Sequence, residues 1–290
     1  MLILLEIAVN GLSVGGIYAL IALGFVLIYK STGVINFSQG ELSMLGAYIF
    51  YGLSVIYHFP FGIAFILTLI ICALVGIIIE YLILRHMVGE PLFSVIMVTV
   101  GLASIITSLV GVIFGHDVHA LSSPFSGQVF TIGHIAIAKV NLFIVGSSLI
   151  LFILFFLYFK MSPMGIGMRA TSEDQDAAQL MGINIRKVFG IAWAISAAVA
   201  AVGGIFLAEQ TLLHTGMGHI GLRVFAAAIL GGMDSPGGAI LGGFLIGLLE
   251  NIAGVYLGGE VKEVVAFSVI LLVLIIRPYG LFGTREIEKV

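Results

Sequence analysis

The chain has 290 residues, 60% of them hydrophobic and only 9% charged, with a formal net charge of -3 and one cysteine. A soluble domain is about 45–50% apolar and about 25% charged, so these charges are too few to cover a globular surface in water, and lipid must solvate most of the chain. The small net charge gives nucleic acid no footing, and a lone cysteine, Cys72 inside an apolar run, excludes an internal disulfide.

The opening "MLILLEIAVNGLSVGGIYALIALGFVLIYK" has no basic leader, and its apolar run is too long for a signal-peptide core. It is expected to be the first spanning helix. A helical crossing needs about 20 apolar residues. Runs of that order lie at 7–29, 35–57, 60–84, 92–114, 140–159, 188–209, 236–257 and 264–276. They predict eight clear spans in an all-α, polytopic membrane bundle forming a single transmembrane domain, 1–290. Segment 219–233 is a ninth candidate, short, Gly-rich and carrying Arg223.

Lys and Arg collect in cytoplasmic loops. With the end of the first helix inside, Lys30, Arg85, Lys160, Arg169, Arg186, Lys187, Arg277, Arg285 and Lys289 fall inside, and Lys139 and Lys262 outside. The scheme closes only if 214–234 also crosses, as a tilted or broken helix. The N-terminus is then outside and the C-terminus cytoplasmic. The external loop 115–139 carries His116, Asp117, His119 and His134, whose spacing offers no second supporting pair, so no metal is expected.

Ionisable groups at membrane depth are costly and functional by default. Glu41, Glu80, Glu209, Arg223 and Glu250 are the candidates. Glu41 follows Ser38 at capping-box spacing in "INFSQGELSMLGAY", so a helix is expected to start there. Glu80, five residues before Arg85, is expected to snorkel to the interface. Arg223 is expected to pair with Glu209 or Glu250. Together with Asn36 and Gln39, the residues Glu41, Glu209, Arg223 and Glu250 are the candidate translocation path.

Small-xxx-small spacing recurs at Gly11/Gly15, Gly111/Gly115, Gly238/Gly242, Gly243/Gly247 and Gly254/Gly258, which suits close helix packing. "VGGIYAL" (14–20) resembles "VGGIFLA" (202–208), and the opposite directions of those two helices would make an inverted repeat.

One segment, 161–187, is polar. "RATSEDQDAAQLMGIN" offers Thr171 or Ser172 as N-cap, Glu173, Asp174 and Asp176 for the positive helix end, helix formers through Ala178 and Leu180, and Gly182 as the stop. A helix over 171–182 is marginal alone and must dock on something. No nucleotide, serine-hydrolase, zinc-protease or C-x-x-C motif occurs, so no catalytic residues are expected and the chain cannot use ATP by itself.

Four stretches carry a family resemblance. "NGLSVGGIYALIALGFVLIYKSTGVINFSQGELSMLGAY" resembles the start of LivH-type permeases of branched-chain amino acid ABC transporters, and "SPMGIGMRATSEDQDAAQLMGIN" their cytoplasmic coupling segment. "FAAAILGGMDSPGGAILGGFLIGLLE" and "RPYGLFGTREIEKV" are similar to their C-terminal part. The resemblance implies the helical permease fold of larger-pored ABC importers in a bacterial or archaeal inner membrane. It implies a second related permease chain, a pair of ATPase subunits that hold ATP and Mg inside, and an external substrate-binding protein. It makes Arg169, Thr171, Ser172, Glu173, Asp174, Ala178, Leu180 and Gly182 the expected ATPase-coupling residues. Substrates other than branched-chain amino acids, urea and amides among them, stay open. A secondary transporter or channel using Glu41, Glu209 and Glu250 is the reading of another class.

Overall fold

In hydrocarbon every backbone N–H and C=O needs a partner within the chain, and the apolar runs meet that demand as helices. The computed structural model describes residues 2–87, 90–121, 123–132 and 135–284. The N-terminal half holds α1 (Leu2–Thr32), α2 (Gln39–Tyr51) extended by a π-helical turn at Gly52–Ile56, α3 (Phe61–Leu82), α4 (Leu92–Phe114) and α5 (Lys139–Met161). A hairpin of β1 (Val129–Ile132) and β2 (Ile135–Ala138) precedes α5, with Val129 opposite Ala138. Then come α6 (Pro163–Glu173), α7 (Gln175–Leu180), α8 (Ile185–Gln210), α9 (Ile220–Gly231) after a 3-10 turn at Thr215–His219, α10 (Pro236–Tyr256) and α11 (Val261–Ile276).

Among the described residues, six helices are long and apolar enough to cross a membrane: α1, α3, α4, α5, α8 and α10. Eight such spans were expected. The run 35–57 is helical only from Gln39, because residues 34–38 turn around the Asn36 side chain. Its α2 has 13 residues and α11 has 16. At about 1.5 Å per residue α2 with its π-helical turn to Ile56 reaches about 27 Å and α11 about 24 Å, against a core about 30 Å thick that thins locally around shorter helices. Composition marks apolar runs but not where a polar side chain interrupts the helix.

The basic residues divide between the two ends of the bundle. Lys30 donates to the Asp234 carbonyl (2.9 Å), and Arg85, Arg169 and Arg186 line the cavities beside them, with Lys160, Lys187 and Arg277 at neighbouring helix ends. Lys139 and Lys262 lie at the opposite end, beside Asn10 and Gln210. Arg285 and Lys289 fall outside the described residues. Segment 211–234 joins the two ends: Leu213 pairs with His119 at one, and Asp234 receives Lys30 at the other.

Two helices form the centre. Of their spanning windows, α1 is 89% and α8 78% buried, against 28% for α3 and α4 and 22% for α5. α1 and α8 run antiparallel, since Gly24 meets Ser196, Ile17 and Ile21 meet Gly203, and Ser13 meets Gln210. α1 packs on α10 as α8 packs on α3, and α2 lies on α8 as α9 lies on α1. These exchanges are those of an inverted repeat relating α1–α4 to α8–α11, in line with the two "VGGI" stretches.

Close approach of backbones sets this core. A Cβ on Gly247 would collide with the Gly15 backbone, one on Gly243 with Ala19, and one on Gly204 with the Ser43 carbonyl. Gly238 and Gly242 meet Gly231 and Ala227 of α9 in the same way. Two of the sequence pairs do not pack helices. Gly111 faces the His116 ring and Gly115 ends α4 at φ +82°, while Gly254 lies under the Lys262 stem and Gly258 has φ +104°.

Gly247→Ala is therefore expected to destabilise the bundle by about 1–3 kcal/mol, the usual scale of overpacking. Gly146→Ala in α5, where a Cβ meets nothing within 4 Å, should be neutral or slightly stabilising. Thermal unfolding of both variants in detergent checks the contrast.

Candidate functional site

The polar segment folds as two helices. Ser162 caps α6 by accepting from Gly165 N (2.9 Å), and Pro163 stands at its first turn. Thr171 and Ser172 are inside α6, where Thr171 donates to the Gly167 carbonyl (2.8 Å) and Ser172 to that of Arg169 (2.9 Å). The expected cap at Thr171 or Ser172 is thus corrected. Asp174 is the N-cap of α7, accepting from Ala177 N at 2.9 Å. Propensity permits all three at a cap, but the Ser162–Pro163 start commits the chain to helix through Glu173 and moves the cap on to Asp174.

Gly182 at φ +86° ends α7, with Ile183 N donating to Ala178 O (3.0 Å), and Asn184 caps α8. Ala178 is buried on the bundle side. Leu180 and Met181 are 88% and 83% exposed, and Glu173 and Asp174 are exposed as well. Arg169 is held against the body: it bonds the Phe159 carbonyl, lies 5.5 Å over the Phe159 ring and reaches the Lys160 carbonyl (3.4 Å).

Beneath α7 lies a buried ion pair. Glu80, 2% exposed, does not snorkel; it receives Arg85 through two bonds, Nε at 3.3 Å and Nη2 at 3.0 Å. α3 packs Glu80 inward against Gly190 of α8, so the arginine comes to the carboxylate instead. A cavity of about 250 Å³ brings Glu80 together with Gln175 of α7, Thr32 at the end of α1 with Gly33 after it, and Trp193 of α8.

Further in, a buried polar knot ties α1, α2 and α8, and Phe37 N donates to Thr99 Oγ1 of α4 beside it (3.3 Å). Ser38 takes the N-cap position of α2, but its side chain makes no capping bond. Its hydroxyl donates to Asn36 Oδ1 (2.6 Å). Asn36 donates to Gln39 Oε1 (3.2 Å), and Ser196 Oγ bridges Gln39 Oε1 (3.1 Å) and the Gly24 carbonyl (3.0 Å). The expected Ser38–Glu41 capping box is absent, because Asn36 satisfies Ser38 first. Asn36 and Gln39 are fully buried and bonded within the chain, a brace more than an open wall. Glu41 packs on Gly218 instead, with Oε2 buried and without a partner.

At the other end Tyr18 donates to Glu250 Oε2 (2.6 Å), both residues being 2% exposed. A cavity of about 210 Å³ opens beside them, lined also by Arg223, Asn251, His214 and Lys262. Arg223 pairs with Glu263 of α11 at 3.5 Å, not with Glu209 or Glu250 as expected. Glu209 is taken by Ser123 (2.8 Å) and Ser126 in the loop before β1. His119 stacks on Tyr51 and bonds its hydroxyl (3.2 Å). Among the described residues no group of three His, Cys, Asp or Glu could hold a metal; His134 lies outside them.

The family model described as "Branched-chain amino acid transport system / permease component" matches residues 7–274. The chain belongs to this permease family. It is 31% identical to the high-affinity branched-chain amino acid permease LivH of Escherichia coli K12 over 97% of this chain and 96% of that one. It is 34% identical to BraD of Pseudomonas aeruginosa PAO1, over 99% and 98%. It is 31% identical to the probable LivH of Methanocaldococcus jannaschii, over 91% and 88%. Among solved structures, a chain of PsaBC from Streptococcus pneumoniae in complex with Fab superposes with a TM-score of 0.52 at 16% identity, covering 93% of this chain and 91% of that one, which shows the shared fold.

A permease of this family is an ABC transport subunit, not an enzyme. Within it, sequence reasoning missed Tyr18, Gln175 and the inward turn of Glu80. Tyr18 carries no signal in an apolar run until its α10 partner is known. Glu80–Arg85 had a signal in its spacing, read as an interface pair.

The buried pair makes a directional forecast. Arg85→Ala leaves Glu80 buried and alone and is expected to cost about 3 kcal/mol, whereas Glu80→Gln leaves a 30%-exposed Arg85 that water can reach and should cost clearly less. Denaturant unfolding of the two variants, with the Arg85→Ala/Glu80→Gln double variant recovering part of the loss, checks this.

Proposed function

We propose that this chain is a permease subunit of an ATP-driven importer for branched-chain or other hydrophobic amino acids. It works with a second related permease chain, a pair of ATPase subunits and an external binding protein. The family match and the names of the relatives support the substrate class. The observation that carries the coupling role is α7. It is a helix of six residues, capped at both ends, seated by Ala178, and presenting Leu180 and Met181 outward. So short a helix has no stability of its own, and an exposed apolar pair on it suits a partner's groove.

In this reading ATP and Mg bind on the partner subunits and close them. Their movement reaches α7, then Gln175 and the cavity at Glu80, where the ends of α1, α3 and α8 meet. α1 and α8 are the buried centre, so a shift there moves the whole core between outward-open and inward-open arrangements. The partner drives this only by binding one arrangement better than the other. Arg169, Glu173 and Asp174 orient the segment, and Thr171, Ser172 and Gly182 shape its two helices.

We further propose that the end carrying Lys30, Arg85 and Arg186 is cytoplasmic, that α2, α11 and segment 211–234 also traverse the membrane, and that the N-terminus is outside. The Lys and Arg asymmetry supports it. A reporter fused after residue 234 should read cytoplasmic; an external reading would overturn the orientation.

The coupling role is tested by Leu180→Asp with Met181→Asp in proteoliposomes holding the complete transporter and binding protein. Both positions are exposed, so the fold should survive. ATP-driven uptake of labelled L-leucine is expected to fall on the order of tenfold or more, the scale of losing an anchor residue at an interface. Normal uptake in that variant would sink the coupling role of this edge.

A further inference from the structure

The outer cavity has more chemistry than a passage requires. Glu250 is 2% exposed, and only one of its oxygens is used: Oε2 accepts from Tyr18 at 2.6 Å, while Oε1 is buried with no partner. A buried carboxylate oxygen left unmatched is costly, and more so at membrane depth. Tyr18 and Glu250 also come from α1 and α10, the pair brought together by the glycine contacts, so the carboxylate is placed rigidly.

Two cations share the cavity with it, Arg223 of α9 and Lys262 in the first turn of α11. Arg223 is half-buried, and its present partner Glu263 is an exposed side chain at 3.5 Å. Such a solvent-facing pair is weak and exchangeable. The rest of the wall is mixed: Val14, Leu207, Met217 and Ile220 form an apolar patch, and Gln210, Thr211, His214, His219 and Asn251 are polar. The volume, about 210 Å³, far exceeds the about 10–15 Å³ that one water needs.

A bare cation would suit Glu250 but would face Arg223 and Lys262. A bare anion would suit those two but would face the unmatched oxygen. A ligand with both charges and an apolar part matches Glu250, the two cations and the apolar patch together. We propose that this cavity is an amino-acid subsite inside the single permease chain, holding a zwitterion with its ammonium at Glu250 Oε1, its carboxylate at Arg223 and Lys262, and its side chain on the apolar patch. This rests on the transport reading above and adds to it a binding step within one subunit. Glu250 stands six residues before the end of α10, about 9 Å in from the outer face, so the subsite meets substrate early.

The test uses the permease pair with its ATPase subunits in nanodiscs, without the binding protein. Binding of tritiated L-leucine is measured by scintillation proximity, with isocaproate, which lacks the ammonium, and isoamylamine, which lacks the carboxylate, as competitors. Wild type should prefer leucine to both. Glu250→Gln, nearly isosteric, should lose about tenfold or more in leucine affinity, the scale of a lost charged hydrogen bond, and should narrow the gap to isocaproate. Arg223→Gln should narrow the gap to isoamylamine. Tyr18→Phe, which keeps the ring, should repeat the Glu250→Gln pattern in weaker form. A purely structural role would lower all three ligands alike; that result, or no change at all, overturns the subsite. Uptake by the complete transporter separates the two readings. If wild type imports leucine and binding ignores Glu250 and Arg223, the subsite falls and transport stands. If wild type imports no amino acid but leucine binds with the charge-dependent preferences, transport falls and the subsite stands.

Discussion

The structure depends on backbone meeting backbone. Lipid tails are as apolar as leucine, so burying leucine between two helices gains little in a membrane. What remains is dispersion at short range, which grows with the number of atom pairs that fit. Gly11, Gly15, Gly243 and Gly247 let α1 and α10 come as close as their main chains allow, and Gly204 lets α8 sit on the Ser43 carbonyl of α2. Everything polar in the core is positioned by those contacts. Tyr18 reaches Glu250 because α1 and α10 touch, and Ser196 reaches Gly24 and Gln39 because α8 lies across α1 and α2.

The two ends of the bundle then differ in kind. At the Lys- and Arg-rich end the charges are arranged as surfaces and pairs: Arg85 on Glu80, Arg169 on the α5 carbonyls, Lys30 on the chain before α10. These groups hold segment 161–187 against the body while leaving the outer edge of α7 uncovered. At the opposite end the charges surround a cavity. Between the ends the Asn36–Gln39–Ser196 knot is buried and bonded within the chain, the condition under which buried polar groups rigidify a core. Rigid middle, docking edge and open cavity follow the same chain of helices, α1 and α8 foremost.

Much of this was legible from residues alone. The long runs became helices, the basic residues gathered at one end, and Gly182 ended α7. Two kinds of feature were not legible. One is competition for the same bond: Ser38 fits a capping box with Glu41, but Asn36 lies nearer and takes the hydroxyl. Asp174 caps α7 because a helix starting at Ser162 had already absorbed Thr171 and Ser172. The other is partnership across the fold. Arg223 has Glu209 and Glu250 close in sequence, yet Glu263 meets it, because α9 and α11 pack side by side. Likewise Gly254 and Gly258 have the spacing of a packing pair, but the helix ends before Gly258 and only one of them faces a neighbour.

The depth of α1 bears on how the protein is made. This first helix is apolar enough to enter the bilayer at once, but its permanent surroundings are α8 and α10, and two of its contacts, Tyr18 to Glu250 and Ile7 to Asn251, join residues 232 and 244 positions apart. Until α10 leaves the ribosome, Tyr18 and the glycine face at Gly11 and Gly15 must sit in lipid or against a temporary companion. The centre of the bundle is therefore complete only with α10 in place, and a chain stopped before α10 would leave the glycine face of its most buried helix uncovered.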